Sequence, residues 1–383
     1  MRIAMIGTRG VPARYGGFET AIEEIGRRIA AGGDEVVVYC RGAEEPIPEY
    51  FGMELVHLPA VRSKAVETLS HTFLSVLHAV ARRRTADAAI VFNAANAVFV
   101  PLLRLRGIPT AVHVDGLEWK RAKWGRWGRR YYRMAEALAV RWADALIADA
   151  EGIAQYYRDE FGAPTEEIAY GAPILEDDDA ALLRRETGLG PRGYHLVVAR
   201  FEPENHVLEI VEGYTASAAR LPLVVVGSAP YSDEYTARIE SLAAGDERVT
   251  MLGGVWDQDL LDQLYANAAC YLHGHSVGGT NPSLLRAMGA GTTVAAYDVS
   301  FNRGVLGDAG RWFSSPDQLA DVLAEVEAEL DEQPEAYAGR VKTIRERART
   351  HYDWDDVARS YRDLADRLRR RVVRRPRLSG RRR

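Results

Sequence analysis

The chain has 383 residues, 47% of them hydrophobic and 27% charged, enough to bury substantial cores and to form two domains rather than one. Its formal charge is −5; its two cysteines, Cys40 and Cys270, argue against a disulfide framework or a cysteine-held metal, and no apolar run is long enough to span a bilayer. The strand-like Ile3–Ile6 runs straight into a glycine loop, with no signal-like segment, which leads us to expect a cytoplasmic protein. A helix over about Phe18–Ala30 follows, then strands at Val36–Tyr39 and Leu55–Leu58, a long helix around Ala65–Arg83, and strands at Ala88–Phe92, Thr110–Val114 and Ala145–Ala148. In the long helix Val66, Leu69, Phe73, Val76, Leu77 and Val80 recur at three- and four-residue spacing, which predicts that this face is core. Its histidines, His71 and His78, are expected to be partly exposed.

An acidic, turn-rich connection at 176–193 interrupts the pattern, and a second alternation begins. It comprises strands at Tyr194–Val198, Leu223–Val226, Val249–Leu252, Ala269–His273 and Thr293–Tyr297, with helices near Val207–Ala219, Asp233–Leu242 and Gln258–Ala266 between them. The rhythm predicts an α/β protein of two Rossmann-like, doubly wound domains facing a cleft, over residues 1–175 and 194–353. Three further helices, Pro316–Leu330, Pro334–Arg349 and Trp354–Arg371, have too few following strands to make a third domain and are expected to wrap back over the other two. The basic tail, 372–383, continues a run from Arg367 that holds ten arginines and no acid; subtracting those charges leaves −15 for the remaining chain. Such a tail suits an anionic membrane surface; nucleic acid or plain solvation are the alternatives.

Four loops carry the chemistry. HGHSVGGTNPSLLRAMGAG, from His273 to Gly291, is a glycine-rich loop entering a helix near Pro282, a junction whose free N–H groups suit an anion such as a diphosphate, although an ordinary strand-to-helix turn would look similar. Arg200, after the first strand of the second half, is placed to pair with that diphosphate through its bidentate fork. Gly16 and Gly17, after the first strand, let the backbone approach a ligand, while Glu19 and Thr20 begin a helix. His113, Asp115 and Glu118 follow another strand and offer an imidazole and two carboxylates to orient hydroxyls or move protons. Next to them lies a basic-aromatic patch including Trp119, Lys120, Arg121, Lys123, Trp124, Arg126 and Trp127, suited to a membrane interface or a lipid diphosphate; base stacking or a solvated helix are its competitors. The Asp177–Asp179 and Asp353/Asp355 clusters read as caps and solvated turns, not metal sites.

The segments GTRGVPARYGGFET, VDGLEWKRAKW, VARFEPEN and HGHSVGGTNPSLLRAMGAG together resemble the GT-B glycosyltransferases of family 4, in their rhamnosyltransferase-like branch, over nearly the whole chain. The resemblance implies an acceptor held by 1–175, a nucleotide-sugar donor held by 194–353, a helix at 354–371 returning to the N-terminal domain, and transfer with retention. No metal and no cofactor are implied; the nucleotide sugar is the substrate. The leaving phosphate would take the acceptor's proton. Donor-diphosphate residues would be Arg200, Asn205, Gly279, Thr280, Asn281, Ser283 and Arg286; sugar and acceptor would meet His113, Asp115 and Glu118, with Gly16 and Gly17 on the cleft floor. Asn205 stands where many members have lysine. Gly278 and Arg286 stand where the family has its pair of glutamates, the second of which holds the ribose, so Arg286 is read as a replacement cation. The expected donor is dTDP-L-rhamnose, and the expected acceptor a polyprenyl-diphosphate-linked sugar or glycan in cell-surface polysaccharide synthesis. Partners would then include an anionic membrane, the inner face of the plasma membrane, and no nucleic acid. A nucleotide-sugar epimerase of the same fold, or a catalytically silent membrane-associated binding protein, are the alternatives.

Overall fold

The computed structural model describes residues 1–383 except 14–15, 43–44, 62–65, 115, 122–123, 177–178, 229–232, 374 and 377–383. Two compact units emerge, Met1–Tyr170 with Trp354–Arg383, and Gly171–Asp353. The first contains β1 (Arg2–Ile6), α1 (Gly17–Ala31), β2 (Glu35–Arg41), β3 (Glu49–Tyr50), β4 (Met53–Leu58), α2 (Glu67–Ala81), β5 (Ala88–Phe92), α3 (Val100–Leu105), β6 (Thr110–Val114), α4 (Arg126–Trp142), β7 (Ala145–Ala148), α5 (Glu151–Phe161) and β8 (Glu166–Glu167). Its sheet has the order β3-β4-β2-β1-β5-β6-β7-β8 and is parallel except where β3 pairs with β4. Strands β1, β5, β6 and β7 are buried along their whole length, as continuous apolar runs covered on both faces must be.

One helix turns differently from its periodicity. In α2 the buried positions are His71, Thr72, Ser75, Val76 and Ala79, while Val66, just before the helix, and Phe73 and Leu77 are 42%, 40% and 39% exposed. Small side chains at Thr72, Ser75 and Ala79 let the helix lie close to the sheet, and that contact sets its rotation. Phe73 then packs sideways on Phe99, with ring centroids 5.7 Å apart. His71 is consequently fully buried, not partly exposed, and desolvation lowers its pKa.

The second unit adds α6 (Ala181–Thr187), β9 (His195–Val198), α7 (Val207–Ala216), β10 (Leu223–Val226), α8 (Asp233–Ala243), β11 (Val249–Gly253), α9 (Gln258–Asn267), β12 (Cys270–His273), α10 (Pro282–Gly289), β13 (Val294–Tyr297), α11 (Ser300–Leu306), β14 (Arg311–Phe313), α12 (Pro316–Glu332) and α13 (Pro334–His351). Its sheet, β11-β10-β9-β12-β13-β14, is parallel throughout. Helix α12 is fastened to the sheet by Glu327, a buried carboxylate that accepts from the amides of Arg220 and Leu221 at 3.0 Å and lies 3.1 Å from His195 Nε2. Burial alone would raise its pKa; the hydrogen bonds from His195, Arg220 and Leu221 outweigh it and hold the carboxyl at about 2.

Of the three late helices, α12 and α13 stay in the second unit, and only the last, α14 (Trp354–Arg369), joins the first. It lies against α1 and β5. Arg28 Nε donates to Asp355 at 2.6 Å, Arg362 to Asp34 at 2.7 Å, and Arg367 grips Glu166 with both terminal nitrogens. Past α14 the chain crosses the amino ends of β6 and β7, where Arg371 donates to the Gly107 carbonyl and Arg375 pairs with the buried Asp144 at 2.7 Å. A cavity of about 510 Å³ lies there, lined by Asp144, Leu368, Arg371 and Arg375 among others. It is at the opposite strand ends from the loops that carry the chemistry.

Candidate functional site

Ligands of open parallel sheets lie beyond the carboxyl ends of the strands, where the strand order reverses. In the second unit that point is between β9 and β12. The loops leaving these two strands are the ones that hold Arg200 and the glycine-rich sequence. They are fastened to each other: the Ser276 amide donates to the Glu204 carbonyl at 2.9 Å, and His206 Nδ1 lies 2.8 Å from the Gly274 carbonyl. Gly274 makes the approach possible, since a Cβ there would meet the Asn205 carbonyl oxygen at 2.1 Å.

Within this junction the expected diphosphate residues separate into two groups. Arg200 is half-buried, and its guanidinium pairs loosely with Glu202 at 3.3 Å. Gly278 takes φ +125°, and Gly279, Thr280 and Asn281 follow it into the first turn of α10. The other three have partners within the protein. Asn205 is buried, its amide donating to the Arg200 carbonyl at 2.8 Å and its oxygen 2.7 Å from His275 Nδ1, so it sets the loops instead of offering a free donor. The Ser283 amide is taken by the Asn281 side chain at 2.8 Å, the usual N-cap bond. Arg286 turns toward α9: Nε donates to Asp262 at 2.6 Å and a terminal nitrogen to Gln258 Oε1 at 2.9 Å, over the ring of Tyr265. A carboxylate within reach captures the guanidinium that was assigned to the diphosphate. Gln258 in turn approaches the carbonyl of Trp256, whose indole, 66% exposed beyond β11, sequence reasoning passed over. Its signal was a tryptophan beside the Gly253–Gly254 pair at a strand's carboxyl end.

In the first unit the strand order reverses between β1 and β5. Gly16 begins α1 at φ +107°, with its carbonyl bound by Thr20, and the Glu19 carboxylate reaches back to the Arg9 amide at 3.0 Å. Gly17 is the first helical residue. His113, at the end of β6, is fully buried among the rings of Phe18, Phe92, Tyr170 and Tyr361, the last contributed by α14. Among the described residues neither ring nitrogen has a hydrogen-bond partner, and burial pushes its pKa down to about 3. It is therefore a neutral, enclosed imidazole and not a solvent-facing acid or base. Glu118 is also committed: its carboxylate pairs with Arg121 at 2.6 Å and accepts from Trp124 Nε1. Asp115, Lys123, Asp177 and Asp178 lie outside the described residues. Asp179 caps Ala181, and Asp355 is the partner of Arg28.

The basic-aromatic patch divides between interior and surface. Trp119 and Trp124 are half-buried, Trp124 packing on Tyr132 at 5.0 Å, while Lys120 and Arg133 lie over the Trp119 ring. Lys120, Arg126 and Trp127 are exposed, with Arg126 over the Trp127 ring at 5.2 Å.

Comparison with known proteins places these units. Residues 181–347 match the model for glycosyl transferases group 1, and residues 1–173 match a domain of unknown function, DUF1972. No curated protein matches the chain significantly. Among solved structures, sucrose-phosphate synthase from Thermosynechococcus elongatus is similar with a TM-score of 0.80 at 21% identity, covering 96% of this chain and 98% of that one. HepE of Anabaena in complex with UDP gives 0.75 at 15% identity, covering 96% and 100%. The same protein in complex with UDP-glucose gives 0.76 at 16%, again covering 96% and 100%. The fold is therefore GT-B, two Rossmann-like α/β domains. The group 1 glycosyltransferase domain forms most of its second unit, which supports a glycosyltransferase.

Proposed function

We propose that the protein is a retaining, metal-independent glycosyltransferase of family 4, in the rhamnosyltransferase-like branch, working peripherally on the inner face of the plasma membrane. It moves a hexose, L-rhamnose from dTDP-L-rhamnose as first choice, to a polyprenyl-diphosphate-linked or polysaccharide acceptor during cell-surface glycan synthesis. The acceptor is held by residues 1–175 and the donor by 194–353. The observation that carries this reading is the meeting of the Arg200 loop with the Gly278–Asn281 loop at the strand-order reversal of the second unit. A guanidinium and a helix N-terminus there supply the two kinds of charge that a departing diphosphate needs. Trp256 offers the base an aromatic face nearby. The leaving phosphate takes the acceptor's proton, so His113 has none to move; it meets a sugar hydroxyl as a neutral hydrogen-bonding group once the ring box of Phe18, Phe92, Tyr170 and Tyr361 opens to the sugar. Solved proteins of this fold that hold UDP or UDP-glucose support the donor class.

The test is a panel of dTDP-L-rhamnose, UDP-glucose and GDP-mannose scored by thermal shift and by nucleoside diphosphate released. Arg200→Ala is expected to weaken donor binding by about ten- to a hundred-fold, the loss of one charged hydrogen-bonding group. A panel with no shift and no release defeats the proposal. Epimer formation without an acceptor identifies an epimerase, and binding without turnover a silent binding protein.

A further inference from the structure

In the first unit α2 and α4 lie over the same face of the sheet, with the turn Ala94–Phe99 between them. Phe73 of α2 packs on Phe99, and Tyr131 Oη of α4 donates to the Ala95 carbonyl at 2.8 Å, so the three segments form one continuous flank. Its outward side is unusual in two ways at once. Three of the six apolar residues predicted to face the core from α2, Val66, Phe73 and Leu77, are turned to solvent, although Val76 is buried, and on α4 Trp127 is 71% and Met134 47% exposed. Arg126, Arg129 and Arg130 are exposed beside Trp127, whereas the only acid of α4, Glu136, is buried and accepts from Tyr156 Oη. An apolar stripe and a row of cations thus share one surface of a chain that is acidic outside its tail.

Three occupants compete for such a face, and chemistry selects among them. A second copy of the chain, docked face to face, would set the arginines of α4 against their own images. A nucleic acid would use the arginines and Trp127 but has no use for Val66 and Leu77. A bilayer containing anionic lipid uses both, taking apolar side chains into its interface and meeting guanidinium groups with phosphates. We propose that the α2–α4 flank is the surface that seats this protein on an anionic glycerophospholipid bilayer. This deepens the membrane placement given above and rests on it. Helix α4 follows the β6 loop that holds Glu118 and Trp119, so its arginine-bearing first turns stand at the acceptor end of the first unit. Docking there brings that end to the lipid headgroups.

The experiment is co-sedimentation of the full chain with vesicles of phosphatidylcholine alone and of phosphatidylcholine mixed with phosphatidylglycerol, at low and high salt. The wild type is expected to bind the mixed vesicles only, and less at high salt. Arg129→Glu with Arg130→Glu is expected to weaken binding at least about ten-fold, and Phe73→Ser with Leu77→Ser by a similar factor, with the melting temperature recorded for each. Failure of the wild type to sediment overturns the proposal, as does undiminished binding by both folded variants. Retention on duplex DNA without vesicle binding, or a dimer broken by the Phe73/Leu77 pair without vesicle binding, overturns it equally. Diphosphate release from the donor panel is measured without vesicles, so a failed glycosyltransferase that still docks is distinguished from an active one that does not.

Discussion

His113 poses the sharpest question at the scale of single residues. Two ring nitrogens without partners among the described residues, in a box of aromatic rings, are a cost of about 1–3 kcal/mol that packing alone does not require, since a phenyl ring fills similar space. The folded state also refuses the proton that the unfolded imidazole accepts. With the pKa lowered from 6.5 to about 3, stability is complete above pH 6.5 and falls progressively as pH drops below it. His113→Phe is accordingly expected to raise the melting temperature, more at pH 5 than at pH 8, while lowering turnover about ten-fold through loss of one sugar hydrogen bond. Calorimetry and diphosphate release check the two halves; a gain in stability with unchanged turnover would leave His113 as packing. Sequence places this residue at a strand end near the expected site, but its enclosure depends on Phe18, Phe92, Tyr170 and Tyr361, which are far apart in the chain. Arg286 teaches the same lesson. Its position was readable from the glycine loop, and its partner, Asp262 on α9, was not.

Among elements, the contrast between α2 and α12 is instructive. Apolar spacing located α2 within a few residues, yet half of the stripe that defined it, Val66, Phe73 and Leu77, faces solvent while Val76 faces the core. Spacing reports which residues share a face, and close packing by Thr72, Ser75 and Ala79 decides which face turns inward. Among the elements not foreseen, α3, α6, α11 and the two-residue strands β3 and β8 contain too few turns or alternations to show a period, while the longer α4 and α5 went unread beside the basic-aromatic patch and after β7. For α12 the decisive residue is polar. Glu327 satisfies two backbone amides and faces His195, so Glu327→Gln is expected to cost the second unit about 3 kcal/mol, measured by urea unfolding. The carboxyl sits at about 2 instead of 4.5, so its contribution is complete above pH 4.5 and is lost as pH falls toward 2. The difference between wild type and variant should therefore be constant above pH 5 and shrink below pH 4. A difference that persists undiminished at pH 2 would show that the charge is irrelevant to the fastening.

For the whole molecule, alternation of apolar runs with helical periods was enough to read two parallel α/β domains, because buried parallel strands need unbroken apolar sequence. Strand order was not readable, and it is strand order that brings the Arg200 and glycine loops together. The second unit, Gly171–Asp353, is continuous in sequence, whereas the first requires α14 to cover α1 and β5. A fragment of residues 171–353 is expected to unfold cooperatively by itself, and one of residues 1–170 to show exposed apolar surface and dye binding. A cooperative, dye-silent 1–170 would show that α14 is dispensable for that core.

The position of α14 has a consequence for synthesis. A chain emerging amino end first presents β1 to β8 early, but the helix that shields Phe92 and β5 leaves the ribosome only after the entire second unit has been made. The later-born unit can close at once. The earlier-born one waits for its cover, so the order of birth and the order of completion are reversed, and the waiting sheet is the part of the newborn protein that most needs a chaperone.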